Sequence, residues 1–224
     1  MRRYIKHAFS TILVPFARWY LRKDRQFKYN GIQVLVRSGV FHPGFFYSTK
    51  FLLTYLKTHK LSGKTFLEVG SGTGLISIYA AKQGAIVTAS DISATAVENT
   101  STNATLNNVE ITVLHSDLFT AINVHVYDWI VINPPYYKKM PVTESDFAWY
   151  CGEHFEYFHT LFSQLPDYCN EATQCIMVLT KGCDIESIKA IAKKNAFELE
   201  LLQEKHVFFD EKDYLFRVRS NSSL

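Results

Sequence analysis

Short apolar runs alternate with longer amphipathic stretches from Lys64 onward. A run of four or five apolar residues is typical of a buried strand, and apolar positions at helical spacing are typical of a helix packed on one face. The strand-like runs are Thr65–Val69, Ile86–Ser90, Ile111–Leu114, Trp129–Ile132 and Ile176–Leu179, and the helical stretches are Leu75–Gln83, Ala94–Asn107, Tyr157–Leu165 and Asp184–Lys194. Because such apolar strands are buried on both faces, the pattern predicts an α/β fold with a parallel sheet between helices.

The two ends of the chain show different patterns. Phe197–Leu202 and Tyr214–Val218 are strand-like and predict a terminal antiparallel hairpin at one edge of the sheet. Near the start, residues 4–22 have helical spacing interrupted by Pro15, and Asn30-Gly31 predicts a β-hairpin turn. Ser48 is the expected cap of the next helix. We therefore divide the chain into an extension, residues 1–47, and a main domain, residues 48–224.

Charge changes the interpretation of the extension. Residues 1–28 carry eight Lys and Arg against Asp24 alone, a local net charge of +7 that leaves −4 for the remainder of a chain at +3. This predicts contact with an anionic partner, either nucleic acid or a membrane surface, and the alternative is a solvated helix packed on its own domain. No apolar run is long enough for an integral membrane span and no signal peptide is evident, so a cytoplasmic location is expected.

Cysteine and histidine spacing gives no metal or disulfide framework. The four cysteines include no C-x-x-C pair, which favours free thiols in a reducing compartment, and the eight histidines show no ligand spacing. We therefore expect no metal in the site.

A glycine-rich loop follows the first apolar strand and opens the next helix. Such a loop lets a ligand approach the free N–H groups of a helix N-terminus, and dinucleotide enzymes use the same position. Leu75 stands where their fingerprint requires glycine, and Glu68 precedes the loop, where a carboxylate suits a ligand with a cationic amine better than a pyrophosphate. The loop residues are Gly70, Ser71, Gly72, Thr73 and Gly74.

Aspartates end the two strands that follow. Asp91 ends the second strand and is able to accept hydrogen bonds from ribose hydroxyls, although it is also a candidate cap for the next helix. Asp117 follows the third strand and is able to accept an adenine amine.

Together these residues resemble the successive cofactor motifs of class I S-adenosylmethionine-dependent methyltransferases. The resemblance implies a Rossmann-like, doubly wound, seven-stranded sheet that is mostly parallel with an antiparallel last strand. It also implies that the glycine loop passes the methionine part of S-adenosylmethionine, that Asp91 with Ile92 holds the ribose, and that Asp117 and Leu118 flank the adenine.

A second motif, Asn133-Pro134-Pro135-Tyr136, follows the fourth strand. The two prolines make the loop rigid and leave bare carbonyls, the Asn133 amide offers an acceptor and donors, and the tyrosine offers a stacking face. This combination is suited to hold a planar NH2 group with its lone pair towards a methyl donor. Catalysis would then consist mainly of positioning, with Asn133, Pro134, Pro135 and Tyr136 as the catalytic group. Asn133 is also expected to contact the cofactor.

Asn-Pro-Pro-Tyr resembles the motif of amino-group N-methyltransferases, which act on the glutamine amide of release factors (the HemK-like family) or on bases in nucleic acids. The resemblance implies that the segment around Phe41 closes over the cofactor. Cys151 departs from a Gly-Gly-acidic stretch of the release-factor enzymes, and the short basic start departs from their N-terminal helical domain.

The sequence thus predicts an N-methyltransferase whose acceptor is RNA, DNA or protein. Three alternatives stay open: a small-molecule methyltransferase, a non-catalytic S-adenosylmethionine-binding protein, and an NAD-dependent oxidoreductase, which Leu75 disfavours. The aromatic-rich segments 136–141 and 147–150 are expected to shape the acceptor pocket.

Overall fold

The computed structural model describes residues 23–45, 47–207 and 211–221. The helix predicted over residues 4–22 lies outside this part of the chain. Nine strands are described: β1 Arg25–Tyr29, β2 Ile32–Val36, β3 Thr65–Val69, β4 Ile86–Asp91, β5 Thr112–His115, β6 Trp129–Ile132, β7 Gln174–Thr180, β8 Phe197–Val207 and β9 Glu211–Ser220. The α-helices are α1 Tyr47–Leu56, α2 Leu75–Lys82, α3 Ala94–Leu106, α4 Glu156–Gln164 and α5 Ile185–Lys194.

Strands β3 to β9 form one seven-stranded sheet in the order β5-β4-β3-β6-β7-β9-β8. Its pairs are parallel except those of β9, which is antiparallel to both β7 and β8. The predicted fold class and the terminal hairpin at the edge are confirmed. From β3 the chain first proceeds outwards through β4 and β5 and then returns to β6 on the other side, so the strand order reverses between β3 and β6. Ligands of open α/β sheets bind at such a point, outside the carboxyl ends of the strands.

Two hydrophobic cores lie on opposite faces of the sheet. One contains α1, α2 and the inner side of the β1–β2 hairpin, with Ile32, Leu52 and Leu75 buried together. The other contains α4 and α5, with Phe158 and Ile188 buried. The hairpin thus shares a core with the main domain. Burial on both faces explains why the central strands are apolar at nearly every position.

The predicted boundaries differ from the structure mainly at two places. Helix α1 begins at Tyr47, so Ser48, predicted as its cap, is a buried residue inside the first turn. Strand β8 continues to Val207, five residues beyond the predicted end at Leu202. The extra residues are largely polar and exposed, and they extend the hairpin by pairing with β9 past an irregularity between Leu201 and Gln203. Exposed polar residues give no apolar signal from which a strand could be predicted.

Three asparagines spaced four residues apart, Asn99 and Asn103 on α3 and Asn107 at its C-terminal cap, hold the outer edge of β2. Their amide groups exchange hydrogen bonds with the main chain of alternate residues of that strand: Gln33, Leu35 and Arg37. Asn103 also donates to the carbonyl of Thr73 in the glycine loop at 2.9 Å. The hydrogen bonds of the Asn103 side chain therefore tie the hairpin to that loop, and this side chain is fully buried.

We expect Asn103→Ala to lower the free energy of unfolding by about 2 kcal/mol, because the main-chain amide of Leu35 and the carbonyl of Thr73 lose their hydrogen bonds to the Asn103 side chain. Chemical denaturation measures the loss. Ser101→Ala on the exposed side of the same helix is the control, and we expect it to be neutral. An equal loss in both variants would contradict the role given to Asn103.

Candidate active site

A cavity of about 290 Å³ opens at the carboxyl ends of β3, β4 and β6, where the strand order reverses. Of the residues predicted to form the site, all but Gly74 line it: Phe41, Glu68, Gly70, Ser71, Gly72, Thr73, Asp91, Ile92, Asp117, Leu118, Asn133, Pro134, Pro135 and Tyr136. Tertiary structure thus brings together five segments that are far apart in the sequence.

The glycine loop has a conformation that requires glycine. Gly70, Gly72 and Gly74 have φ angles of 79°, 53° and 72°, in the left-handed region that side chains disfavour. Gly74 does not line the cavity but stands at the N-terminus of α2. A Cβ atom on Gly74 would lie 2.7 Å from Cγ2 of Thr100, so this glycine is also required for close packing against α3.

Glu68 is a buried carboxyl group at the floor of the cavity. Its Oε2 accepts hydrogen bonds from the amide of Ser77 at 2.8 Å and from the hydroxyl of Ser77 at 2.5 Å. Burial raises the pKa of Glu68 to about 8 in spite of these bonds, and the nearby Asp91 raises it further. A cationic group in the cavity would offset the cost of ionising this carboxyl.

Asp91 links the cavity wall to two neighbouring elements. Its Oδ2 accepts from the amide of Gly72 at 2.8 Å and its Oδ1 accepts from the amide of Ser93 at 2.9 Å. Burial raises its pKa, although both hydrogen bonds oppose the shift. Ser93, rather than Asp91, caps α3, because its hydroxyl accepts from the amide of Ala96. Asp91 therefore fixes the loop and the approach to α3 while it faces the cavity.

The turn after β5 supplies the third wall. Leu118 is buried with a φ of 49°, and the hydroxyl of Ser116 donates to its carbonyl at 2.9 Å. Asp117 between them is exposed and lines the cavity. An apolar side chain beside an accessible carboxylate suits a planar heterocycle that carries an amino group.

The segment after β6 presents Asn133 to the cavity. Within the residues that the structure describes, the Asn133 side chain has no hydrogen bond to the protein, so its amide is available to a ligand. The amide of Tyr136 donates to the carbonyl of Trp149 at 3.2 Å, and burial raises the pKa of its phenol. The tyrosine is thus a neutral, oriented wall of the cavity.

Residues 137–150 cross over the cavity and are held at both sides. Glu144 accepts from the hydroxyl of Ser93 at 2.7 Å and from the amide of Thr95 at 3.1 Å, and these bonds lower its pKa. Trp149 lies against Phe41 from the opposite side, with ring centroids 5.4 Å apart. Phe41 and Trp149 both line the cavity.

Sequence reasoning missed Glu144. The local signal was the capping box formed by Thr143 and Asp146, whose reciprocal bonds start a short 3-10 helix at this point. That signal predicts a turn of helix, but it does not predict the contact of Glu144 with Ser93, about fifty residues earlier in the chain.

Among the described residues, no group of three or more His, Cys, Asp or Glu side chains is arranged to hold a metal ion. None of the helices in the same residues is both long and apolar enough to cross a membrane.

Comparison with known proteins assigns the family. Residues 31–150, more than half of the chain, match the model of the methyltransferase small domain. The chain belongs to this family. The match confirms the predicted methyltransferase class, and with it S-adenosylmethionine as the cofactor.

Individual relatives match only in part. A protein from Methanocaldococcus jannaschii named as a protein N5-glutamine methyltransferase is 44% identical over 87 residues, which are 38% of this chain and 42% of that protein. The ribosomal RNA small subunit methyltransferase C of Buchnera aphidicola is 31% identical over 137 residues, 60% of this chain and 39% of that protein. The chain thus spans about two fifths of the length of these relatives.

Solved structures share the fold at low identity. Methanocaldococcus jannaschii Trm5 in complex with adenosine superposes with a TM-score of 0.63 at 20% identity, covering 90% of this chain and 57% of that one. The Thermus thermophilus 16S rRNA N2 G1207 methyltransferase, in complex with AdoMet and guanosine, gives 0.59 at 17% identity, covering 87% and 50%.

We expect Gly74→Ala to lower the free energy of unfolding by about 3 kcal/mol, from the left-handed backbone and the contact with Thr100 together. Gly63→Ala is the matched control, because its φ of 73° is close to the 72° of Gly74 and no atom lies within 4 Å of the new Cβ. It should cost about 1 kcal/mol, from the backbone alone. Thermal denaturation compares the two, and equal losses would contradict the packing role.

The raised pKa of Glu68 predicts a pH dependence of stability. This carboxyl has an ordinary pKa of 4.5 and a pKa of about 8 in the folded protein. Its contribution to stability is therefore fully present below the first value and is lost as the pH rises to and through the second. Glu68→Gln, which cannot ionise, should therefore gain stability relative to the unmutated protein between about pH 5 and pH 8. Denaturation at several pH values tests this, with Glu153→Gln on the surface as the control for net charge. A constant difference across the range would refute it.

Proposed function

We propose that this chain is an S-adenosylmethionine-dependent N-methyltransferase whose acceptor is a planar amine or amide nitrogen, in a nucleic-acid base or a protein glutamine. The observation that carries the proposal is the pairing of β3 with β6, in which Val69 stands opposite Ile132. The glycine loop and the Asn133 loop therefore start side by side on one cavity.

The cavity residues fit the cofactor. Glu68 is a buried acid whose ionised form needs a cation, and the amino group of a methionine moiety supplies one. Asp91 faces the cavity with a carboxylate suited to ribose hydroxyls, and Asp117 and Leu118 suit an adenine. We assign Phe41 to the cover over this site, because its ring contacts that of Trp149 and both residues line the cavity.

Asn133 and its neighbours hold the acceptor in this proposal. When bound, the cofactor supplies a methyl group on a positively charged sulfur, which is already electrophilic. The Asn133 oxygen and a proline carbonyl would accept the two hydrogens of a planar NH2 group, while the ring of Tyr136 lies against its plane. Pinning these hydrogens frees the nitrogen lone pair for in-line attack, so positioning supplies most of the rate. The proton leaves after the nitrogen has been alkylated.

The relatives favour macromolecular acceptors, since one is named for protein glutamine and another for ribosomal RNA. The Asn-Pro-Pro-Tyr motif is of the HemK-like kind, and a cytoplasmic location belongs to the proposal. A small-molecule acceptor is the second candidate. A non-catalytic binder is disfavoured by the availability of the Asn133 amide at the cavity.

Asn133→Ala tests the mechanism. We expect the variant to bind S-adenosylmethionine within a few-fold of the unmutated protein in calorimetry, because the methionine and ribose groups lie on other loops. Methyl transfer from labelled cofactor into a cell extract should fall about a hundredfold or more, since one positioned polar group is removed from the reacting centre.

Asn123→Ala, an exposed asparagine outside the cavity, is the control for this experiment. The extract also shows whether the label enters RNA, protein or small molecules. Unchanged transfer by the Asn133 variant would refute its catalytic role, and failure of the unmutated protein to bind the cofactor would refute the proposed function.

A further inference from the structure

Positive and negative charges lie in different parts of this chain, although its total charge is only +3. Residues 1–67 contain thirteen Lys and Arg and one acid, Asp24, a net charge of +12. The remaining 157 residues carry −9, which together give the total of +3. The basic part includes the β1–β2 hairpin and α1, both of which the structure describes, so that a large share of this charge has a defined position.

Three lysine–aromatic pairs lie along α1. Each places a lysine Nζ 5.0–5.9 Å from a ring centroid, and they join α1 to β1 and to β8: Lys50 with Phe27, Lys57 with Tyr29, and Lys205 with Tyr47. We call these six residues the basic face. From Tyr47 to Lys57 it extends along α1 for about 15 Å at the rise of a helix. The end of the basic face at Tyr47 adjoins the cavity, because Thr49 of the same helix lines the cavity.

Carboxylates are missing from the part of the sequence that carries Lys50 and Lys57. Residues 25–67 include no Asp or Glu. Within the described chain, Lys50 and Lys57 form no ion pair, whereas Arg37 and Lys64 pair with acids of the main domain. Two lysines beside aromatic rings, in a part of the sequence without acids, match a chain of phosphates with bases available for stacking. Lys205 adds a third charge, although Glu204 and Asp213 lie next to it.

We infer that the basic face binds the phosphate backbone of a single-stranded nucleic acid and leads it to the cavity, so that the methyl acceptor is a base rather than a protein glutamine. This inference rests on the proposed function and names its substrate class. The negative charge of the rest of the chain repels phosphates from the other surfaces, which gives the bound strand a defined path.

Paired charge-removing variants test the face. Lys50→Gln/Lys57→Gln removes two charges from it, and Lys193→Gln/Lys194→Gln removes two exposed charges from α5, which packs on the opposite face of the sheet. The probe is a fluorescently labelled, mixed-sequence, single-stranded RNA of about 20 nucleotides, longer than one site of this class needs. Anisotropy titrations of the full chain at several salt concentrations give the affinity and its salt slope.

The basic-face variant should bind the RNA about tenfold more weakly, with the slope of log K against log salt reduced by about 1.4, two contacts at about 0.7 each. The α5 variant should keep the slope of the unmutated protein. Lys50→Arg/Lys57→Arg, which conserves the charge, should also keep the slope of the unmutated protein. This variant decides the question if the Gln variant unfolds, and a reduced slope in the Arg variant would overturn the inference.

The inference is overturned if the unmutated protein does not bind the RNA, if the basic-face and α5 variants lose the same slope, or if the label enters only protein. These results leave the proposed function intact, provided that the protein binds S-adenosylmethionine in calorimetry and transfers its methyl group. Absence of cofactor binding would instead refute the proposed function, while the salt slope would still report on the basic face.

Discussion

The parallel pairing of β3 with β6 is the constraint on which the rest of the structure depends. The two strands lie side by side although the chain makes two further strands and two helices between them. Their carboxyl ends, Val69 and Ile132, are in register, so the loops that follow open at the same level. One loop provides the approach to a helix N-terminus and the other provides the free amide of Asn133. A shift in register of this pair would separate the two halves of the active site.

Two carboxyl groups are buried at this edge of the sheet, which is unfavourable for the ionised form of each. Glu68 and Asp91 are two neighbouring acids from which burial removes solvation, and the charge of Asp91 raises the pKa of Glu68 further. Hydrogen bonds from Ser77 and from the amides of Gly72 and Ser93 offset only part of this cost. Buried carboxyls with such shifts are characteristic of functional sites, and a cationic ligand is the partner that resolves the conflict.

Two elements outside the sheet enclose the site. The asparagines of α3 fasten the β1–β2 hairpin, and Asn103 extends the connection to the glycine loop. The segment carrying Glu144 and Trp149 approaches from the other side, with one contact at Ser93 and one at Phe41. The segment of Glu144 and Trp149 is therefore joined both to the turn before α3 and to Phe41, and the hairpin also contributes two of the six residues of the basic face.

The sequence by itself determined the central strands, the glycine loop and the Asn133 motif, because each depends on a local pattern: apolar runs, glycines at positive φ, and paired prolines. The sequence also predicted Glu68, Asp91 and Asp117 as ligand-binding residues, because each ends or follows a predicted strand. Tertiary structure alone decided how Asn103 joins Leu35 to Thr73, how Glu144 reaches Ser93, and how lysines of α1 stand over rings of β1. These partners are between 20 and 70 residues apart and leave no periodic trace, because only the packing of the folded chain brings them within contact distance.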